Sequence, residues 1–504
     1  MTEAARAEGL TVLVPLAIER AALRGQLPGA TMSRIGMGPD RARSASAELD
    51  PGTGPVAVAG FCGALAPGIE PGDVVVASEV RGPDGRVLPC AGGPLVAALR
   101  RRGVERVHFG PMASAERIVR GEGRTRLAET GAIAVDMESF WAVEAAGDRP
   151  VAVLRVVSDS PERELGANLD TVTGGVAAYR SLRAAAPALA DWAAAAGSRT
   201  VLLAGPRSFC AGVERAIEIV ERALDRYGPP VYVRKQIVHN VHVVQDLERR
   251  GAVFVDAIDD VPEGAVTVFS AHGVSPQVRD EAAERELKVI DATCPLVTKV
   301  HAEARRFAAA GYRIVLVGHE GHEEVEGTTG EAPEAIQTIG TAAEIDGLDI
   351  GAGDRVAYLT QTTLAVDEVE DVVERLRGRF PALAGPGSDD ICYATTNRQD
   401  AVKVLARESD LMLVIGSENS SNSQRLVEVA AREGCRAELI DDETEIDPAW
   451  LEAAEIVTVT AGASAPESLV DRVVGALAGL GPVKVESRNV VAESLRFTLP
   501  LELR

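Results

Sequence analysis

Three cysteines sit in three loops rich in small and polar residues. They are Cys210 in Gly205-Pro206-Arg207-Ser208-Phe209-Cys210-Ala211-Gly212, Cys294 in Asp291-Ala292-Thr293-Cys294-Pro295, and Cys392 in Asp389-Asp390-Ile391-Cys392-Tyr393-Ala394-Thr395. They are spaced almost evenly, 84 and then 98 residues apart. The first two follow short apolar, β-branched runs, Val201–Ala204 and Val289-Ile290. Three thiolates from three distant segments can hold a [4Fe–4S] cluster by three of its irons, leaving the fourth to meet a small molecule. Simple packing is the common alternative for a buried free thiol. Structural zinc normally shows paired Cys-x-x-Cys spacings, and none occurs here. With six cysteines in 504 residues and no secretory pattern at the N-terminus, the chain does not resemble a disulfide framework.

The other polar groups gather in short glycine- or asparagine-flanked motifs. These are Val238-His239-Asn240, Phe269-Ser270-Ala271-His272-Gly273-Val274-Ser275 and Gly318-His319-Glu320-Gly321-His322-Glu323-Glu324-Val325-Glu326-Gly327-Thr328. They continue with Leu359-Thr360-Gln361-Thr362-Thr363-Leu364, Gly416-Ser417-Glu418-Asn419-Ser420-Ser421-Asn422-Ser423 and Thr460-Ala461-Gly462-Ala463-Ser464-Ala465-Pro466. On residue types alone, a Glu in so acidic a loop reads first as a solvated charge. A Ser/Asn run reads first as a turn or an N-cap. Three histidines of only seven, in three separate loops, are harder to dismiss, since imidazolium groups donate charge-assisted bonds to anions.

With these motifs, in this order, residues 200–504 resemble the 4-hydroxy-3-methylbut-2-enyl diphosphate reductase family. The resemblance implies reductive removal of an allylic hydroxyl, yielding isopentenyl and dimethylallyl diphosphates in the last step of the methylerythritol phosphate route to isoprenoids. It implies a [4Fe–4S] cluster on Cys210, Cys294 and Cys392, with Cys62, Cys90 and Cys435 dispensable. Glu324 is then the proton source, and Thr362 relays or orients that proton. His239, His272, His322, Thr362, Ser420, Ser421, Asn422 and Ser464 hold the diphosphate, while Glu320, Glu323 and Glu326 are bystanders. A small electron donor such as a ferredoxin or a flavodoxin would serve it.

These groups need elements to carry them. Helical periodicity runs through Val213–Arg226, Val366–Phe380 and Ser423–Glu433. Strand-like runs are Thr200–Ala204, Val266–Phe269, Arg313–Val317, Leu411–Ile415 and Ile456–Thr460. The alternation predicts an α/β fold with parallel sheets, whose ligands collect in loops after the carboxyl ends of strands. The resemblance implies three lobes in a pseudo-threefold plan about a central cluster, placed at roughly 200–294, 295–391 and 392–480, with the closing segment returning to the first. An alanine-rich helical stretch from Val176 ends in Gly197-Ser198. We therefore expect domains at 1–198 and 199–504.

The first domain resembles the nucleoside phosphorylase and nucleosidase superfamily, nearest to hopanoid-associated phosphorylases. The residues that carry this are Ile35-Gly36-Met37-Gly38-Pro39, Gly60–Val76, Val135-Asp136-Met137-Glu138-Ser139 and Leu154-Arg155-Val156-Val157-Ser158-Asp159. The resemblance implies cleavage at a ribosyl C1′. Gly36 and Gly38 would offer N–H groups to phosphate, Met137 and Glu138 would hold the ribose, and Asp159 would protonate the leaving base. Glu19 could activate water, although it reads rather as an ordinary charge at a helix start. A domain that has lost catalysis is the alternative.

A net charge of −23 argues against nucleic-acid or anionic-membrane surfaces, so an anionic ligand must be held by local donors. No apolar run reaches the ~18 residues of a membrane helix, and free thiols suit a cytoplasmic, reducing compartment. Two other readings compete with a reductase. One is a non-enzymatic iron–sulfur sensor, which would need neither an anion clamp nor Glu324. The other makes nucleoside cleavage the main activity.

Overall fold

The computed structural model describes residues 6–48, 52, 54–164, 169–351 and 353–504. The chain divides into two compact units. One comprises Met1–Val201, Asp442–Val457 and Asp471–Val485, the other Leu202–Asp441, Thr458–Val470 and Glu486–Arg504.

The first part of the chain forms β1 (Thr11–Val14), β2 (Thr31–Arg34), β3 (Val56–Ala64), β4 (Val74–Arg81), β5 (Val87–Pro89), β6 (Val107–Ser114), β7 (Ala134–Asp136) and β8 (Val151–Asp159). The sheet order is β2-β1-β3-β7-β6-β4-β5, and β8 pairs with both β3 and β4. The strands β3, β7, β6, β4 and β8 thus close a ring. The pairing is mixed, not purely parallel: β8 runs parallel to β3 and antiparallel to β4. Val56, Val58, Ala64, Val75, Ala77 and Val153 fill the core of this sheet.

The remainder forms β9 (Arg199–Gly205), β10 (Val231–Arg234), β11 (Ala252–Val255), β12 (Val266–Phe269), β13 (Lys288–Asp291), β14 (Arg313–Val317), β15 (Ile336–Ile339), β16 (Val356–Thr360), β17 (Leu411–Ile415), β18 (Arg436–Ile440), β19 (Ile456–Ala461) and β20 (Val483–Asn489). They make three sheets, β11-β10-β12-β13, β15-β14-β16 and β18-β17-β19-β9-β20. The first two are parallel throughout. Helices cover both faces of the three-stranded sheet, which its alternating side chains make visible. Val315 and Val317 enter one apolar cluster, while Ile314 and Leu316 enter another on the opposite face.

Helices form where the apolar spacing requires them. In Ala211–Tyr227, Ala216, Ile219, Val220, Ala223 and Leu224 form one buried stripe, and Gly228 ends the helix at φ +75°. The α/β class and the three sheets follow the sequence reading, but one detail differs. The strand before Cys210, β9, belongs to the third sheet and not to that of the 200–294 segment, and β20 pairs beside it. From the closing segment, Leu499 and Leu503 pack into the core of the β10–β13 sheet. A strand's own composition fixes its burial but not which neighbour it pairs with, so this could not be read locally. Among the described residues no helix is long and apolar enough to cross a membrane.

Candidate functional site

All three cysteines are N-caps. Cys210 precedes the helix Ala211–Tyr227, Cys294 precedes Pro295–Ala309, and Cys392 precedes Tyr393–Ala406. Each therefore sits at the positive end of a helix dipole, which favours a thiolate and any anionic group it holds. All three thiols are free and line one cavity of about 100 Å³. Burial, with the neighbouring thiolates adding to it, pushes Cys294 up to about 12 and Cys392 up to about 11. Ionising them together calls for a cation as partner, which is what metal ligation supplies.

Gly212 gives an independent indication. A Cβ there would stand 2.8 Å from Cys294 Sγ and 3.8 Å from Cys210 Sγ. The missing side chain leaves space directly beside the sulfurs. Three cysteines facing one space, with no disulfide among them, fit a group held by three sulfurs.

Every other residue expected in this site lines the same cavity: His239, His272, His322, Glu324, Thr362, Ser420, Ser421, Asn422 and Ser464. The loops that carry them follow the carboxyl ends of β10, β12, β14, β16, β17 and β19. Glu324 is 3% exposed. It accepts from Thr362 N–H at 2.6 Å and Thr362 Oγ at 3.1 Å. Burial nevertheless raises its carboxyl to about 7, against the pull of those bonds and of His272.

The histidines differ from expectation. Burial, reinforced by the other rings, pushes His239 down to about 2 and His322 to about 4. Both are therefore neutral near pH 7, and neither is the imidazolium expected. His322 Nδ1 accepts the Glu324 N–H at 3.1 Å, which leaves its proton on Nε2. Stacked rings cannot all carry charge: His239 and His272 lie 4.1 Å apart at 17°. His272 is the exception in having an acidic partner, Glu323 Oε2 at 3.1 Å. Glu323 is thus no bystander.

Ser420 caps the helix Ser421–Arg432, and its Oγ lies 3.5 Å from Ser464 Oγ. Ser464 in turn donates to the His239 carbonyl at 2.9 Å. Two buried polar atoms at the cavity have no partner, His239 Nε2 and Asn422 Nδ2. Orphaned polar atoms in a pocket are consistent with a polar ligand. Thr395 was missed at the sequence level. Its N–H and Oγ lie 3.3 and 3.1 Å from Cys392 Sγ, and its place at the third helical position after a capping cysteine was the available signal. Tyr393, whose hydroxyl accepts from Ala211 N–H at 3.2 Å, was missed too.

The N-terminal unit has its own cavity of about 310 Å³, lined by Glu19, Cys62, Arg124, Met137, Glu138 and Asp159 among others. Gly36 and Gly38 do not line it. Both hold positive φ, and the Gly38 N–H is already given to Glu138 at 2.9 Å, so it is not free for phosphate. Asp159 pairs with buried Arg124 and accepts from Ser158, so it stands as a paired carboxylate and not as a ready acid. Glu19 is no ordinary helix-start charge: it is 1% exposed and accepts from Leu16 and Phe61 N–H at 2.6 and 2.7 Å. Burial raises the carboxyls of both Glu19 and Glu138. The fully buried Arg155, paired with Asp136 and near Glu138, offsets part of this.

Strands alternating with helices, and three capping cysteines with loops from six strand ends about one cavity, define an α/β protein with a thiol-lined site. The chain belongs to the LytB protein family, whose model matches residues 201–478. It is similar to the 4-hydroxy-3-methylbut-2-enyl diphosphate reductase of Leifsonia xyli subsp. xyli, 58% identical over 309 residues covering 61% of this chain and 92% of that protein. It is equally similar, at 58% over 308 residues, to that of Tropheryma whipplei, covering 61% and 98%. Among solved structures, the E-1-hydroxy-2-methyl-but-2-enyl-4-diphosphate reductase of Plasmodium falciparum matches with TM-score 0.59 and 36% identity, over 61% of this chain and 97% of that one. Residues 19–189 match the phosphorylase superfamily.

Proposed function

We propose that this chain reduces (E)-4-hydroxy-3-methylbut-2-enyl diphosphate with two electrons and two protons, giving isopentenyl and dimethylallyl diphosphates and water. The observation that carries this reading is the meeting, in one cavity, of three capping thiols, a carboxyl that holds its proton near neutrality, and unpaired donors suited to an anion. Cys210, Cys294 and Cys392 would hold a [4Fe–4S] cluster, which when bound supplies electrons and a Lewis-acidic iron beside the substrate hydroxyl.

The chain's own groups do the rest. His239, His272, His322, Ser420, Ser421, Asn422 and Ser464, which line the cavity, would hold the diphosphate through their side chains. Glu324 delivers a proton to the substrate, and the Thr362 hydroxyl and N–H hold its carboxyl in place. The leaving hydroxyl departs as water with one of the two protons. The buried walls exclude bulk water, which keeps that proton on Glu324 until it is needed. A small one-electron donor such as a ferredoxin or a flavodoxin fits the electron requirement, and a cytoplasmic, reducing compartment suits free thiols.

We read the chain as two domains, 1–198 and 199–504. For the first we propose nucleoside cleavage, with Met137 and Glu138 at the sugar. Asp159 can take up a proton for the base only after Arg124 releases it.

The test is anaerobic preparation of the full chain, followed by iron and sulfide analysis and product detection. We expect about four irons, lost on Cys→Ser change at 210, 294 or 392 and kept at 62, 90 or 435. Retention of iron in C294S, or its loss in C62S, overturns the ligand set.

A further inference from the structure

We propose that Glu323 is a positioning residue for His272. Its carboxylate takes the ring's Nδ1–H and leaves Nε2 turned to the cavity, where a diphosphate oxygen would dock. This rests on the reading of the cavity as a diphosphate site.

Glu323 opens the helix Glu323–Gly330 and does not itself line the cavity. Its Oε2 meets His272 Nδ1 at 3.1 Å and Ser270 Oγ at 3.4 Å. The serine hydroxyl thus helps fix the carboxylate that fixes the ring. Gly273, at φ +83°, makes the turn that brings His272 to it.

The three rings are not equivalent. His322 gives its Nδ1 lone pair to a backbone N–H. His239 Nδ1 meets the amide oxygen of Gln236 at 3.3 Å, an oxygen that also accepts from Asn419. Neither ring hydrogen-bonds a carboxylate, and burial holds both below the ordinary imidazole range, against the pull of Glu323 in the case of His322. Of the three rings at the cavity, only His272 has a carboxylate against it. The charged and titratable groups around the pair are His239, His322, Glu324 and Lys235. Within that set Glu323 is ionised: burial opposes this, but the His272 hydrogen bond and charge, with Lys235, lower its carboxyl below the ordinary range.

Two adjacent carboxyls thereby take opposite states. Glu324, turned to Thr362, keeps a proton, while Glu323, turned to His272, gives one up. The His239 and His272 rings stack, while His322 meets both edge-on, so the carboxylate of Glu323 fixes one ring of a close-packed trio.

The experiment uses the full, cluster-loaded chain and the E323Q, H272Q and E323Q/H272Q variants. Kinetics, calorimetric titration with inorganic diphosphate, and 15N spectra of the imidazoles are read together. E323Q should raise KM and weaken diphosphate binding by roughly 10-fold, the scale of one charge-assisted bond, with kcat changed less than about 3-fold. Iron content should be unchanged. In the H272Q background the same change should add little, because it acts through that ring. The spectra should show His272 protonated on Nδ1 in the wild type and altered in E323Q. Additive losses, or a KM and diphosphate affinity within 2-fold of wild type, would overturn the proposal. A wild type that binds diphosphate in a Glu323-dependent manner yet reduces nothing would sink the reductase reading and leave this inference standing.

Discussion

Glu324 and Glu138 are both carboxyls held above their ordinary range by burial, and each makes a prediction at the scale of one side chain. Glu324→Gln keeps the shape and the acceptor for Thr362 but has no acid proton. Turnover should fall by roughly 10²-fold or more, with iron content and diphosphate affinity retained. Turnover within a few-fold of wild type would move the proton source to Thr362 or water. Glu138 bears on stability. Its folded carboxyl titrates near 7 while the unfolded one titrates near the ordinary 4.5. Between those values the unfolded chain has lost a proton that the folded chain still binds. Its contribution is therefore most favourable below about 4.5, falls as pH rises through the window, and is flat above about 7. Glu138→Gln should remove that fall. Melting curves should show the variant gaining on wild type between pH 5 and pH 8, and an unchanged difference would mean the carboxyl is not displaced by burial.

Helix starts are the elements on which the site is built. Cysteine is not a favoured N-cap, and three of them at that position give up the usual Ser, Thr, Asp or Asn. The return is three sulfurs at positive helix ends, pointed where a metal group could sit. Gly212, in the first turn of Ala211–Tyr227, tests this. Glycine is a poor helix former, and by propensity alone alanine should help by up to about 1 kcal/mol. The Cβ would instead crowd Cys294 Sγ, a movable atom. Gly212→Ala should therefore leave the metal-free melting temperature unchanged or raised, while iron loading falls clearly. Full loading in that variant would show that the space beside the sulfurs has no such use. Of the capping residues, Ser420 was legible in the sequence, because a strand-like run followed by a Ser/Asn run marks a strand-to-helix loop; that the cysteines cap helices was not. The bounds of β12, β14 and β17 were legible too, since each is a short run of apolar or β-branched residues, Arg313 at the start of β14 apart. Thr395 and Glu323 were not, because their roles depend on which atom a side chain meets across the cavity.

At the scale of the molecule, the sequence boundary at 198 and the compact units do not coincide everywhere. The first unit also takes in Asp442–Val457 and Asp471–Val485. Within it Arg101 pairs with Asp447 at 2.7 Å, Gly197 N–H donates to the Leu480 carbonyl at 2.8 Å, and Leu477 and Leu480 are fully buried. A fragment 199–504 would leave those segments without part of their packing. We expect it to melt lower than the full chain and to aggregate more readily, with 1–198 supplied in trans restoring it. A fragment as stable as the full chain, measured by thermal melting with and without 1–198, would show that the two halves are independent after all.

What the sequence determined by itself was chemical identity: three thiols, three histidines, one placed carboxyl and a Ser/Asn run, all but Cys392 in a loop after a strand. Those follow from residue type and local order, which the chain carries wherever it folds. The tertiary structure decided what depends on neighbours distant along the chain. It placed β9 in the third sheet, left His239 and His322 neutral through burial, and set Glu323 against His272. It also closed Arg124 onto Asp159 and gave the Gly38 N–H to Glu138. Pairing, desolvation and tautomer are properties of contacts between segments, and no window of sequence contains both partners.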